Sequence, residues 1–112
     1  MLRRIWRSIR RTCASLISRR WIYRAEHVED VPNRLAPGVV YLVGAEGCIW
    51  SAAMRCPGGC GRTLEMNLLP SAKPVWRCKA DPDQAVTLHP SVWLKTGCGC
   101  HFVLRHGRVT WV

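Results

Sequence analysis

The sequence predicts a small β-rich zinc-binding domain, zinc-ribbon-like and built from antiparallel hairpins, behind a basic amphipathic N-terminal helix. Three observations carry that expectation. Two cysteine clusters, CPGGC at residues 56–60 and CGCH at residues 98–101, stand far apart in the chain with the spacing of metal knuckles. Between and around them, short β-branched and aromatic runs alternate with Gly- and Pro-containing turns. Ahead of them, residues 1–25 hold eight of the seventeen basic residues and no acid.

The 112 residues suffice for one core, and a hydrophobic content of 48% is ordinary for a folded domain. In MLRRIWRSIRRTCASLISRR, the residues Leu2, Ile5, Trp6, Ile9, Cys13, Leu16 and Ile17 recur at three- and four-residue spacing. Most arginines, among them Arg3, Arg4, Arg7, Arg10 and Arg11, fall on the other side, which is the pattern of an amphipathic helix. Residues 1–24 are read as this helix and 25–112 as the β-rich domain. Such a helix suits an anionic membrane, a nucleic acid, a partner that takes its apolar stripe, or packing on its own domain. From Glu26 onward nine Lys or Arg face all seven acids, so the net charge of +10 belongs mainly to the N-terminal segment. That distribution argues against a nucleic-acid face on the domain itself. No signal-peptide pattern and no apolar run of bilayer length are present, and a cytoplasmic location is expected.

After a polar stretch from Glu26 to Asn33, Pro37 and Gly38 turn the chain into VVYLV, which has the composition of a buried strand. Ala45, Glu46 and Gly47 reverse it into CIWSAAM, which leads to the first cysteine pair. TLEMNLL, VWRC and AVTLHPSVWL follow, separated by turns at residues 70–74 and 81–83. The chain ends with FVLR and RVTWV joined by His106 and Gly107, a two-residue link that closes a hairpin.

Seven cysteines, an odd number, argue against a fully paired disulfide framework. The glycines of CPGGCG let that loop fold tightly enough to aim both sulfurs at one centre. With the second cluster they predict a closed four-ligand zinc site of Cys56, Cys60, Cys98 and His101, with Cys100 as the replacement ligand. Cys13, Cys48 and Cys78 read as buried small residues, and His27, His89 and His106 as surface or satisfied core positions. A closed zinc leaves no position for water, and the redox and deaminase spacings do not match, so no catalysis is expected.

The pieces RLAPGVVYLV, RCPGGCG, VTLHPSV and GCGCHFVLRHGRVTWV, in this order, make residues 22–112 resemble a family of short bacterial proteins, domain of unknown function 6527. The resemblance implies metal ligands at Cys56, Cys60, Cys98 and His101. In this chain Gly58 or Gly59 stands where that family commonly has a further cysteine, and Cys100 where it has serine. It also implies bacterial neighbours of ubiquitin-like, E1- and E2-like and JAB-type kinds. The function expected is therefore a non-enzymatic zinc-stabilised interaction module, an adaptor or E3-like component of ubiquitin-like conjugation. The expected partner is a ubiquitin-like protein or its E1- or E2-like enzyme. The alternative is a nucleic-acid-binding zinc protein using the arginine helix. Partner contacts are expected around the rigid knuckles and terminal hairpin, at Arg62, Phe102, Arg105 and Trp111, since Arg and Trp are frequent interface anchors. Trp50, Trp76, Trp93 and Trp111 are read first as core, with exposed interface anchors as the alternative.

Overall fold

The computed structural model describes residues 22–45 and 47–112, and all the regular structure among them is β. Eight strands run in chain order: β1 (Arg24–Val28), β2 (Val39–Ala45), β3 (Cys48–Arg55), β4 (Thr63–Asn67), β5 (Arg77–Ala80), β6 (Val86–Trp93), β7 (His101–Arg105) and β8 (Arg108–Trp111). They form two four-stranded sheets, β1-β2-β3-β4 and β5-β6-β7-β8. The zinc-ribbon-like expectation is corrected: this is an all-β pair of sheets, and β1 lies parallel to β2 rather than in a hairpin. No helix occurs among the described residues. The expected basic helix, with Arg3, Arg4, Arg7, Arg10 and Arg11, lies outside them except at its last residues, where Arg24 already belongs to β1.

β2 is the centre of the first sheet, and its VVYLV run is buried on both faces, which is why it reads as continuous rather than alternating. Val40 and Leu42 face the main core, while Tyr41 faces a smaller cluster with Leu35 and Ala53. The Tyr41 hydroxyl accepts a hydrogen bond from the Ala36 amide at 3.0 Å and so ties down the loop that covers this outer cluster. The alternation in β4 sends Leu64 and Met66 inward and Thr63 and Glu65 to solvent.

The main core lies between the sheets. Val40, Leu42, Ala52, Met54, Leu64 and Met66 of the first meet Val86, Leu88, Val92, Phe102 and Leu104 of the second. Phe102 is fully buried, and burying such a ring contributes about 1.5–3 kcal/mol. Its burial also corrects the expectation that Phe102 offers a contact surface.

The segment entering β1 stitches the two sheets together. Tyr23 donates to Gly107 at 2.7 Å, Val86 to Tyr23 at 3.1 Å, and Gly107 to Val86 at 2.8 Å. Gly107 sits with φ 79° beside His106 at φ 48°, the left-handed pair that a two-residue hairpin link requires.

Candidate active site and metal centre

Strand β3 delivers Cys56 to the end of the first sheet, where CPGGC turns back on itself. The Gly59 amide donates to the Cys56 carbonyl at 3.2 Å, and the Cys56 amide donates to Arg62 at 2.8 Å. Opposite stands the connection from β6 to β7, which carries Cys98 and Cys100 and is closed by the Leu94 amide on the Cys100 carbonyl at 2.8 Å. The two expected knuckles therefore meet. The sulfurs of Cys56, Cys60 and Cys98 all lie within 4.8 Å of one another, a group that could hold a metal ion. Cys56 Sγ is 3.5 Å from Cys98 Sγ and 3.2 Å from Cys100 Sγ.

These separations are those of thiols that could share one metal ion, since thiolates on a tetrahedral metal stand about 4 Å apart. Room at the centre is reserved by Gly58, because a Cβ there would lie 3.0 Å from Cys98 Sγ and 3.5 Å from Cys56 Sγ. Burial pushes the Cys56 and Cys100 thiols upward, and Cys56 rises further through its contact with Cys100. Cys60 goes the other way, down to about 7, chiefly through the backbone amide of Arg62.

His101 is not among them. An extended chain points successive side chains to opposite faces. Cys100 turns inward with Phe102, both buried, and His101 turns outward. There its Nε2 lies 2.9 Å from the hydroxyl of Ser91. Of the donors expected at the metal, the structure thus gathers Cys56, Cys60 and Cys98, places the replacement ligand Cys100 against Cys56 but outside that group, and sets His101 beside Ser91 at a second site instead.

That second site is set by an irregularity in β6. Leu88 pairs with Leu104 and Val92 with Phe102, so three residues of β6 span the distance that Val103 alone covers on β7. Bulges of this kind re-aim a side chain, and here the one re-aimed is Ser91. The Ser91 carbonyl accepts the indole N–H of Trp76 at 3.3 Å, which fixes the backbone of the bulge. Trp93, paired directly with His101, stacks on the imidazole with ring centres 5.0 Å apart and planes inclined by 15°. The His–carboxylate pair among the described residues is elsewhere, between His106 and Asp81 at 2.7 Å. His101 is oriented by the Trp93 ring and by Ser91.

A serine hydroxyl within hydrogen-bond reach of an imidazole nitrogen is the arrangement of a nucleophile and its general base. With His101 read as a zinc ligand, nothing in the sequence gives Ser91 a partner, and no cysteine or acid within VTLHPSV marks that segment as chemical. The other expected positions divide. Arg62 and Arg105 are exposed, as is Trp111 at 48%. Trp50 and Trp93 are also exposed, against their reading as core, and Cys48 is exposed where burial was expected.

Comparison with known families gives this geometry a context. A family model described as "Bacterial ubiquitination-like system serine protease (BubE)" matches residues 27–112. The expectation of a non-enzyme is corrected by that description, which names a serine protease family. The ubiquitin-like context agrees with what the resemblance implied, although under a different family description. No match was found among curated proteins or among solved structures. The match spans most of the chain, both knuckles and both members of the serine–histidine pair: the chain belongs to the BubE family of bacterial ubiquitination-like systems.

Proposed function

We propose that this chain is a serine peptidase acting on a ubiquitin-like protein or on its conjugates, with Ser91 as nucleophile and His101 as general base. The observation that carries the reading is the 2.9 Å contact between Ser91 Oγ and His101 Nε2 on an outward sheet face. In the first half-reaction Ser91 Oγ attacks the scissile carbonyl carbon while His101 Nε2 takes the hydroxyl proton. The imidazolium gives that proton to the leaving amine as the C–N bond breaks, which leaves an ester on Ser91. Water then attacks the ester carbonyl, His101 takes its proton and returns it to Ser91 Oγ, and the acid is released. Stacking on Trp93 holds the imidazole plane through both transfers, and Trp76 holds the carbonyl of the nucleophile's own peptide.

The thiol cluster is the structural part of the same reading. Cys56, Cys60, Cys98 and Cys100 would hold zinc, which supplies positive charge for thiolates and closes the knuckle. Cys98 and Cys100 sit in the connection between the strand bearing Ser91 and the strand bearing His101. Anchoring that connection to the Cys56 loop of the other sheet fixes the start of β7, and with it the ring of His101.

The test is incubation of the full chain with a ubiquitin-like protein carrying a C-terminal extension, read by intact mass. Cleavage at one peptide bond is expected with the native chain, none with Ser91→Ala, and none with His101→Ala. Cleavage that persists in Ser91→Ala would overturn the assignment.

A further inference from the structure

The outward face of the second sheet carries more than the serine–histidine pair. Strand register assigns the side chains that share it. Cys78 pairs with Leu88, which points inward, so Arg77 and Lys79 on either side of Cys78 point outward. By the same alternation Arg105 shares the face of His101, and Arg108 is its direct partner on β8. Lys79 pairs with Thr87, and Arg105 lies one step beyond the Leu88/Leu104 pair, next to that same residue. Lys79, Arg105 and Arg108 thus form a basic row crossing all four strands, about 14 Å wide at the usual strand spacing. At the other end of the sheet, Lys95 places its ammonium 5.0 Å from the centre of the Trp93 ring.

The acids near this face are already engaged. Asp81 is bonded to His106, and Asp83 accepts the amide of Ala85 within its own turn. All five cations are exposed. Cations with no carboxylate partner among the described residues, distributed on both sides of a nucleophile, make a complementary surface for negative charge.

We infer that this face binds an extended acidic polypeptide, with carboxylate side chains about four residues from the scissile bond seated on the Lys79/Arg105/Arg108 row. This rests on the peptidase reading above. The spacing comes from β7, where four residues separate Arg105 from His101, about 13 Å of extended chain. A polypeptide is favoured over other polyanions by the backbone beside the nucleophile. β5 pairs with β6 only as far as Arg77 on His89. The stretch of β6 around Ser91 to Trp93 therefore has a sheet neighbour on one side only, and an extended peptide can join this edge through the backbone groups other than the Ser91 carbonyl, which Trp76 holds.

The test uses the full chain and fluorescein-labelled poly-L-glutamate, read by anisotropy, with the rate of Ser91 labelling by a fluorophosphonate as a second readout. Poly-L-glutamate is expected to bind and to slow labelling of Ser91. The combined variant Lys79→Glu, Arg105→Glu, Arg108→Glu should bind it at least tenfold more weakly with an unchanged melting temperature. A variant with Arg3→Glu, Arg7→Glu and Arg10→Glu should retain the protection of Ser91. Unchanged binding to the sheet variant overturns the inference, as does binding lost only in the N-terminal variant. Homopolymeric RNA or phosphatidylserine vesicles binding as tightly, with the same dependence on the sheet residues, would assign the face to another polyanion. If Ser91 takes no label at all the peptidase reading fails, while the anisotropy arms still decide whether the acidic chain binds here.

Discussion

Alanine at Cys100 and alanine at His101 perturb neighbouring residues with opposite expected consequences. Cys100 is 8% exposed and its sulfur lies 3.2 Å from that of Cys56. Were it only a packed thiol, removing the sulfur would leave a small cavity worth about 1 kcal/mol. That is a fall of about 4–8 °C in melting temperature for a domain of this size. As a zinc ligand it is coupled to an apparent binding energy of about 10–16 kcal/mol, comparable with the whole stability of a small domain. Cys100→Ala should therefore lose its metal and its cooperative unfolding transition together. His101→Ala loses the stack on Trp93, about 0.5–1.5 kcal/mol, and one hydrogen bond of similar size. It should remain folded and keep its full metal content. The assay is metal analysis by mass spectrometry on protein purified without added zinc, with thermal unfolding before and after a strong chelator. Full metal in Cys100→Ala and less than about half an equivalent in His101→Ala would refute this division of the two residues.

Other consequences are more local. Phe102→Ala should cost about 3–5 kcal/mol, because the ring is fully buried between the sheets, and chemical denaturation would measure it. Gly107→Ala should destabilise by more than the usual ~1 kcal/mol for a left-handed position, since the new Cβ would also lie 2.9 Å from the Tyr23 carbonyl. Burial raises the Cys78 thiol from 9.0 to about 11, so Cys78 should resist a maleimide at neutral pH while exposed Cys48 reacts. The linked stability has the sign of a raised acid: it is present below the ordinary thiol value and is lost as pH rises through about 11. Mapping modified cysteines by mass spectrometry across pH checks the reactivity.

Much of the β framework was legible in the sequence because its elements are punctuated. Pro37 and Gly38 open β2, a turn after Ala45 separates β2 from β3, and His106 with Gly107 closes the final hairpin. β1 was missed because RAEHV carries too little apolar alternation, being exposed at three of its five positions. What makes it a strand is parallel pairing with β2, a long-range contact that no local pattern encodes. The metal cluster was legible in its spacing, but its fourth member depended on backbone direction. Alternation across Cys100, Phe102 and Leu104 was the available signal: it puts Cys100 on the buried face and His101 on the other. Ser91 carried no such signal, since its partner comes from the neighbouring strand and its orientation from a bulge.

The most direct test of the serine–histidine assignment is covalent capture. A fluorophosphonate probe reacts with a serine hydroxyl only when a neighbouring base makes it nucleophilic. Incubated with the full native chain and mapped by peptide mass spectrometry, the probe should modify Ser91 once per chain. His101→Ala should reduce the labelling rate by a factor of about 100 or more, the usual worth of a general base. Modification of Ser51 or Ser71 with Ser91 untouched, or labelling of Ser91 unaffected by His101→Ala, would contradict the account.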